Sequence, residues 1–396
     1  MMNNAIETLS AFSIFALLIL FASPISNLTR IPVVVVEMIL GALTAHFVGF
    51  ITDIEEINIV AEIGFLFLMF LCGLEVDIKS FTKLGSSFLL RTLAYFCTLY
   101  GLSFIIVLSL GLSYVYIAAL PVMSLGMIVA LIKDYGKDQP WLDLALKIGI
   151  LGELVSIAAL VIVDGSSRHG VGSDLAHKLL MLVLFMIFVI LGFKMARVLF
   201  WWIPQVRFLF LPRDDSNSQD LRFVFLLLFG FVLLMMILDI KAVLGAFLAG
   251  TILSTFFKHK AELPQMLHHF GFGFFVPFFF VHIGSTLNLH TLFTDIKIIT
   301  YALYLIMGML SLRLISASIV FGKYFKSAKS TLLFALSDSM PLTFLIATAT
   351  LGKSIGELND TLYASFVLGA ILEGIIFSML IKIVYVFWKT PKQKEK

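Results

Sequence analysis

The sequence predicts an all-α polytopic membrane protein with thirteen transmembrane helices, arranged as two inverted repeats with two broken helices, the fifth and the twelfth. Composition is the first observation behind this fold class: 60% of the 396 residues are hydrophobic, 13% are charged, and the mean hydropathy is +1.04. The second observation is the length of the apolar runs, and the third is a set of matches between the two halves of the chain. Such a composition is typical of proteins embedded in a lipid bilayer, and it excludes soluble enzymes and nucleic-acid-binding proteins.

Apolar runs of spanning length occur thirteen times. A helix rises about 1.5 Å per residue, so roughly 20 apolar residues cross a hydrocarbon core about 30 Å thick. No basic residue precedes the first run, which is therefore interpreted as a helix and not as a cleaved signal peptide. The runs are 5–23, 32–50, 58–76, 86–110, 113–132, 142–163, 176–200, 221–238, 242–257, 268–286, 296–321, 329–350 and 360–388.

The basic residues of the connecting loops predict the orientation. When alternate loops are assigned to opposite sides, eighteen Lys and Arg residues fall on one side and five on the other. Cytoplasmic loops carry the excess of Lys and Arg, so the N-terminus is predicted outside and the C-terminus in the cytoplasm. The expected location is the inner, cytoplasmic membrane of a cell.

A polar, proline-containing connection over 201–220 divides the chain near its middle. The first repeat is predicted at 1–200, as helices 1–6 plus a linker helix 7, and the second at 221–388, as helices 8–13, followed by a basic cytoplasmic tail at 389–396. An odd offset of seven helices would invert the second copy, as in many secondary transporters. The halves match at Leu40–Ala45 with Leu244–Ala249, Arg91 with Arg313, Pro121 with Pro341, and Glu153 with Glu373.

Helix-breaking residues interrupt the fifth and twelfth runs at corresponding places. The fifth run contains Pro121, Ser124 and Gly126, and the twelfth contains Asp338 and Pro341. Proline removes a backbone donor, and Ser and Asp compete for backbone groups, so both helices are predicted to unwind and to expose carbonyls that can coordinate an ion. The alternative interpretation is a pair of ordinary proline kinks.

The sixth run carries a carboxylate, Glu153, near mid-depth. A charged residue at a helix centre costs roughly 2.5–3.5 kcal/mol, so Glu153 is expected to face the protein interior or a water-filled cavity. Gly149, Gly152 and Ser156 form a stripe of small residues beside it, which lets another helix approach. The alternative is a neutral glutamic acid that only joins helices by hydrogen bonding.

Three stretches resemble the monovalent cation:proton antiporters of the sodium/hydrogen exchanger superfamily, especially the Kef-type branch. They are Phe65–Asp77, Leu244–Gly250 and Phe275–Gly284, and they match the third, ninth and tenth helix patterns of that family in order. The resemblance covers almost the whole chain. It implies a homodimer with a dimerisation scaffold and a core in which two broken helices cross. Kef-type relatives often carry a cytoplasmic nucleotide-binding domain, which this chain is expected to lack.

The resemblance also implies an ion site. In that family the sixth helix carries an acidic site, often two adjacent aspartates, and the matching positions are Gly152 and Glu153. One carboxylate is therefore missing, which favours electroneutral exchange. The basic residue of the eleventh helix matches Arg313, which is expected to form a salt bridge with Glu153 and to compete there with the transported cation.

The remaining candidate residues complete this predicted site. Ser124, Ser156 and Asp338 are candidate oxygen ligands beside Glu153, so that Glu153 and Asp338 would hold the transported Na+ or K+. Glu373 is expected to pair structurally with a basic group such as Arg91. No cofactor is predicted.

These residues lead to one preferred function and three alternatives. The preferred function is exchange of Na+ or K+ for H+ by alternating access, with Glu153 as the shared carrier. The alternatives are a gated cation channel on the same fold, a symporter in which Arg313 binds an organic anion, and a sensor that transports nothing. The residues do not distinguish Na+ from K+.

Overall fold

The protein is all-helical in the part of the chain that the computed structural model describes. These residues are 2–29, 31–48, 54–74, 85–136, 138–169, 202, 219–238, 242–256, 262–287 and 289–388, and they contain no strand. The predicted span 176–200, most of the connection 201–220 and the tail 389–396 lie outside them.

The helices follow the predicted spans closely wherever the structure describes them. Most boundaries agree within a few residues, and the longest differences are extensions into polar ends. The helices are α1 (Met2–Thr29), α2 (Val33–Val48), α3 (Glu55–Leu74), α4 (Ser86–Leu110), α5 (Val115–Ala119), α6 (Leu125–Tyr135), α7 (Pro140–His169), α8 (Gln219–Ile237), α9 (Ala242–Phe256), α10 (Glu262–Phe270), α11 (Val276–Ser285), α12 (Leu289–Thr294), α13 (Ile296–Phe325), α14 (Ala328–Asp338), α15 (Leu342–Ser354) and α16 (Asp360–Phe387). A π-helical turn, Gly271–Phe275, joins α10 to α11.

Several of these helices are long and apolar enough to cross a bilayer. Seven qualify among the described residues, or eight if the bent pair α14 and α15 counts as one span. This confirms an integral, multi-pass, all-helical membrane protein. The predicted total of thirteen spans stays a prediction.

The helix ends are determined by capping residues, which lie outside the apolar runs used for the prediction. Proline is favoured in the first turn, so α7 begins at Pro140, two residues before the predicted run. The side chains of Ser327 and Asn359 accept hydrogen bonds from backbone N–H groups in the first turns of α14 and α16. Gly111 ends α4 in the left-handed conformation, with φ of 62°.

Both predicted interruptions are present. The fifth predicted span is divided into α5 and α6 by residues 120–124, which include Pro121. The twelfth is divided into α14 and α15, whose axes differ by 44°, and Pro341 immediately precedes α15. Gly126, predicted to be part of the first interruption, is instead the second residue of α6, because helical geometry resumes directly after Ser124.

The chain forms two compact units. The first contains residues 1–61, 83–163 and 277–396, and the second contains 62–82 and 164–276. Both interruptions and every candidate site residue belong to the first unit.

In the first unit, α2 and α11 are in close contact at two glycines. Each of these glycines lies against the backbone of the other helix. A Cβ atom added to Gly41 would overlap the carbonyl oxygen of Val281, and one added to Gly284 would overlap that of Met38. Each helix therefore uses a glycine to admit the backbone of the other.

The second unit contains a crossing of the same kind between α3 and α9. A Cβ atom on Gly73 would overlap the Phe247 carbonyl oxygen, and one on Gly250 would overlap the Phe70 carbonyl oxygen. Within lipid the hydrophobic effect does not drive helices together. Small residues at both crossings instead allow close van der Waals packing of the helices.

Replacing Gly284 with alanine should destabilise the protein. The added methyl group has no space against Met38, and overpacking of this kind costs about 1–3 kcal/mol. Alanine is the better helix former by about 1 kcal/mol, so Gly230→Ala, where nothing lies within 4 Å, should be neutral or stabilising. Thermal unfolding in detergent measures both variants, and equal stability would contradict the crossing.

Candidate functional site

Arg313 joins the two interruptions through backbone carbonyls. Its guanidinium group donates to the Leu120 carbonyl oxygen at 2.7 Å and to that of Val122 in the first interruption. Its Nε donates to the carbonyl oxygen of Asp338, at the end of α14, at 2.8 Å. The side chain is fully buried, and these bonds use the orphan carbonyls that a broken helix exposes.

Asp338 provides the countercharge of Arg313. Its Oδ2 lies 3.5 Å from the Arg313 Nε, and both side chains are completely buried. The Tyr95 hydroxyl, on α4, donates a hydrogen bond of 2.7 Å to the same oxygen. One buried carboxylate thus holds a cation from α13 and a phenol from α4 at the end of α14.

The position of Arg313 also follows from helix electrostatics. α5 and α14 both end where their last carbonyls face the guanidinium group, and the C-terminal end of a helix carries a partial negative charge. A fixed positive charge is therefore favourable at this point. Arginine remains charged at any physiological pH, so Arg313 does not carry the transported proton itself.

The second halves of the broken helices meet through a pair of hydroxyl groups. Ser124 directly precedes α6, Thr343 lies in the first turn of α15, and their side-chain oxygens are 2.7 Å apart. Both residues are buried. The two interruptions therefore touch at a hydroxyl pair as well as at Arg313.

Ser156 ties α7 to the first interruption. Its hydroxyl oxygen accepts a hydrogen bond of 2.8 Å from the Met123 backbone N–H and donates to the Gly152 carbonyl oxygen at 2.7 Å. Gly152 packs directly on the Met123 side chain, where a Cβ atom would not fit. The predicted small-residue stripe thus seats α7 against residues 120–124.

Glu153 lies in the part of α7 that packs against the first interruption. It lies between Gly152 and Ser156 in the sequence of α7, and its side chain is fully buried. The hydrogen bonds of Ser156 and the packing of Gly152 on Met123 hold this part of α7 against the first interruption. The structure therefore brings Glu153, Ser124, Ser156 and Asp338 into one unit with both interruptions.

The structure corrects two predicted ion pairs. Arg313 forms its salt bridge with Asp338, and the predicted bridge to Glu153 is not among those of the described residues. Glu373 is fully buried whereas Arg91 is exposed on α4, so their predicted pairing is not formed.

Sequence reasoning missed Tyr95 and Thr343. Tyr95 lies in a run where aromatic residues are frequent, and nothing in its spacing distinguishes it from other core side chains. Thr343 could have been found, because it follows Pro341 by two residues and a threonine there lies in the first turn of the next half-helix. The sequence predicted exposed carbonyls at the breaks, but it did not indicate that Arg313 binds those of Leu120, Val122 and Asp338.

The fold and the site define an all-helical integral membrane protein whose two broken helices meet at buried charges. The chain belongs to the family described as "Sodium/hydrogen exchanger, transmembrane", which it matches over residues 14–387.

Two curated relatives match nearly the full length of this chain. It is 28% identical to a putative Na+/H+ antiporter, YjbQ, of Bacillus subtilis (strain 168), over 98% of this chain and 65% of that protein. The chain therefore spans less than two thirds of that relative's length. It is 23% identical to the probable Na+/H+ antiporter 3 of Methanocaldococcus jannaschii, over 97% of this chain and 99% of that protein.

One solved structure has the same fold. The sodium proton antiporter MjNhaP1 from Methanocaldococcus jannaschii, determined at pH 8, superimposes with a TM-score of 0.65 and 16% identity. The similarity covers 96% of this chain and 97% of that one, so the two chains share a fold over nearly their full lengths.

Proposed function

We propose that this protein is a secondary active antiporter that exchanges a monovalent cation, Na+ or K+, for H+ by alternating access. The observation that carries the proposal is the meeting of two broken helices beside Glu153. Membership of the exchanger family supports it, and the names of the two relatives favour Na+ over K+.

Glu153 is the shared carrier in this proposal. A carboxylate binds either a proton or a small cation, and displacement of one by the other couples their movements. The hydroxyl groups of Ser124 and Ser156 supply oxygens of the type that Na+ and K+ accept, and Asp338 is a further candidate ligand. Arg313 already neutralises Asp338, so Glu153 is the carboxylate on which the exchange depends.

Measurements in proteoliposomes test this function. A pH gradient is imposed across vesicles that contain the purified protein, and Na+, K+ and Li+ are added separately while the internal pH is followed. The proposal requires that a cation dissipate the gradient, and that a pH gradient drive the cation uphill. Cation flux that only runs downhill would indicate a gated channel, and absence of any flux would refute transport.

Exchange should be insensitive to the membrane potential. Gly152 occupies the position where many relatives are expected to have a first aspartate, so one carboxylate would carry either one proton or one cation. Moving one net charge across about 100 mV changes the free energy by ~2.3 kcal/mol, so an electrogenic cycle would respond strongly. Potentials clamped with valinomycin measure this, and a clear voltage dependence would contradict a single carrier.

The proposal also includes the oligomeric state, the membrane topology and the branch of the family. We expect a homodimer in the inner membrane with the N-terminus outside, thirteen helices in two inverted repeats, crossed broken helices, and affinity with the Kef-type branch. The two glycine crossings, one in each compact unit, support a repeated design, because the helices in each admit one another by the same means.

A further inference from the structure

Glu373 is a buried carboxylate to which the proposed exchange assigns no task. It lies on α16, is completely inaccessible to solvent, and neither of its carboxylate oxygens has a hydrogen-bond partner among the described residues. A carboxylate in this state is costly as an anion, because nothing replaces the water that it has lost. A proton bound to Glu373 removes this cost, because the side chain is then neutral.

The surroundings of Glu373 connect it to the second interruption. The adjacent Gly374 lies close to both α2 and α15. A Cβ atom added to it would lie 2.6 Å from a side-chain atom of Val35 on α2 and 3.8 Å from one of Leu342. Leu342 is the first residue of α15. The turn of α16 that carries Glu373 therefore lies beside the point where the broken helix resumes.

A second set of contacts connects Glu373 to the helix of Arg313. One turn earlier on α16, Gly369 packs on Leu305 and Ile306 of α13. The helices packed against α16 carry the ionisable residues Glu37, His46, Lys297, Tyr301, Tyr304, Arg313, Lys323, Tyr324, Lys329, Asp338 and Lys353. Among the basic residues of this set, Arg313 is the one that is completely buried, as Glu373 is.

We infer that Glu373 is a second proton-binding site, and that its charge sets how firmly Arg313 holds the two interruptions together. With a proton on Glu373, Arg313 is balanced by Asp338 and by the backbone carbonyls, as in this structure. Without that proton, Glu373 is a second anion near Arg313 and competes with those carbonyls for the guanidinium group.

The consequence for transport rests on the proposed function. Carbonyls released by Arg313 in the interruptions become available to a cation at alkaline pH, when few protons compete for the site. The Glu373 proton is not one of the exchanged ions, because electroneutral exchange through Glu153 already accounts for one proton per cation. Glu373 would therefore tune the site without carrying cargo.

Infrared difference spectra of the purified full chain, acid minus alkaline, test the proton site without reference to transport. The wild type should show a protonated-carboxyl component that disappears on titration and is absent from Glu373→Gln. Glu37→Gln, which removes another buried carboxylate, should retain it. A Glu373→Gln spectrum identical to the wild type, or a component that never titrates while the protein stays folded, would overturn the proposal.

Amide hydrogen exchange tests the coupling to Arg313. After correction for intrinsic pH dependence, exchange at residues 120–124 and 339–341 should rise on alkalinisation in the wild type and stay constant in Glu373→Gln. A rise of equal size in the variant would overturn the coupling. Should Glu373→Gln fail to fold, Glu373→Asp must show a displaced carboxyl component, and an unchanged spectrum would count against the site.

Parallel measurements in proteoliposomes separate this inference from the proposed function. Protein that exchanges no ion but shows the titrating Glu373 component retains the proton site and refutes the antiporter. Protein that exchanges ions without that component supports the antiporter and refutes the second site.

Discussion

Replacing Arg313 with alanine should cause the largest loss of stability of any single substitution at this site. The guanidinium group donates to the carbonyl oxygens of Leu120, Val122 and Asp338 and pairs with the Asp338 carboxylate, all in the buried interior. Removing one member of a buried ion pair costs about 3–5 kcal/mol, and each unsatisfied carbonyl adds roughly 1–3 kcal/mol. The variant should unfold much more readily in detergent and should lose exchange.

A double substitution separates charge from backbone bonding. Asp338→Asn combined with Arg313→Ala removes the uncompensated anion and should recover part of the stability, whereas the orphan carbonyls stay unsatisfied. Arg313→Lys keeps the charge but cannot reproduce the planar fork that reaches both interruptions. Lys323→Ala, an exposed cation on the same helix, is the matched control. Equal stability of Arg313→Ala and Lys323→Ala would show that Arg313 does not hold the interruptions.

Residue chemistry explains why the interruptions could be predicted from the sequence. Proline cannot donate to the helical ladder, and Pro121 and Pro341 lie within or directly beside the observed interruptions. The limits of each interruption were less predictable. Gly126 resembles a helix breaker in isolation, yet it continues α6, because a glycine inside an apolar helix is a modest cost that packing overcomes.

The partner of Arg313 could not be predicted from sequence. A buried cation requires a countercharge, and Glu153, Asp338 and Glu373 all lie in apolar runs at suitable depth. The choice depends on which helix end faces α13, and that is decided by tertiary packing. The same reason applies to Tyr95, whose hydroxyl finds Asp338 across 243 positions of sequence.

Matches between the halves were only partly informative. The sequence aligns Gly41 with Gly245, in similar six-residue stretches, but Gly245 packs on Phe231 of α8. Gly245 thus approaches a backbone carbonyl oxygen as Gly41 does, and Gly250, five residues later, approaches that of Phe70 on α3. A short apolar match does not decide which of these two glycines corresponds to Gly41, since leucine, glycine and alanine recur too often to fix a register.

Replacing Glu153 with glutamine should abolish cation-dependent proton movement and leave the fold intact. Glutamine has nearly the shape of protonated glutamic acid, so the fully buried position of Glu153 should accept it. An amide neither releases a proton nor offers a negative charge to a cation. Exchange should therefore fall to the level of protein-free vesicles, measured as the cation-induced change in internal pH.

The controls for Glu153→Gln decide between a carrier and a structural residue. Glu56→Gln, an exposed glutamate in the first turn of α3, should exchange as the wild type does. Unfolding temperatures of all three proteins should agree closely, because a purely structural Glu153 would reveal itself by a loss of stability in parallel with the loss of exchange. A folded Glu153→Gln protein that still exchanges at the wild-type rate would refute Glu153 as the carrier. Asp338, already neutralised by Arg313, would then be the next carboxylate of the first unit to test.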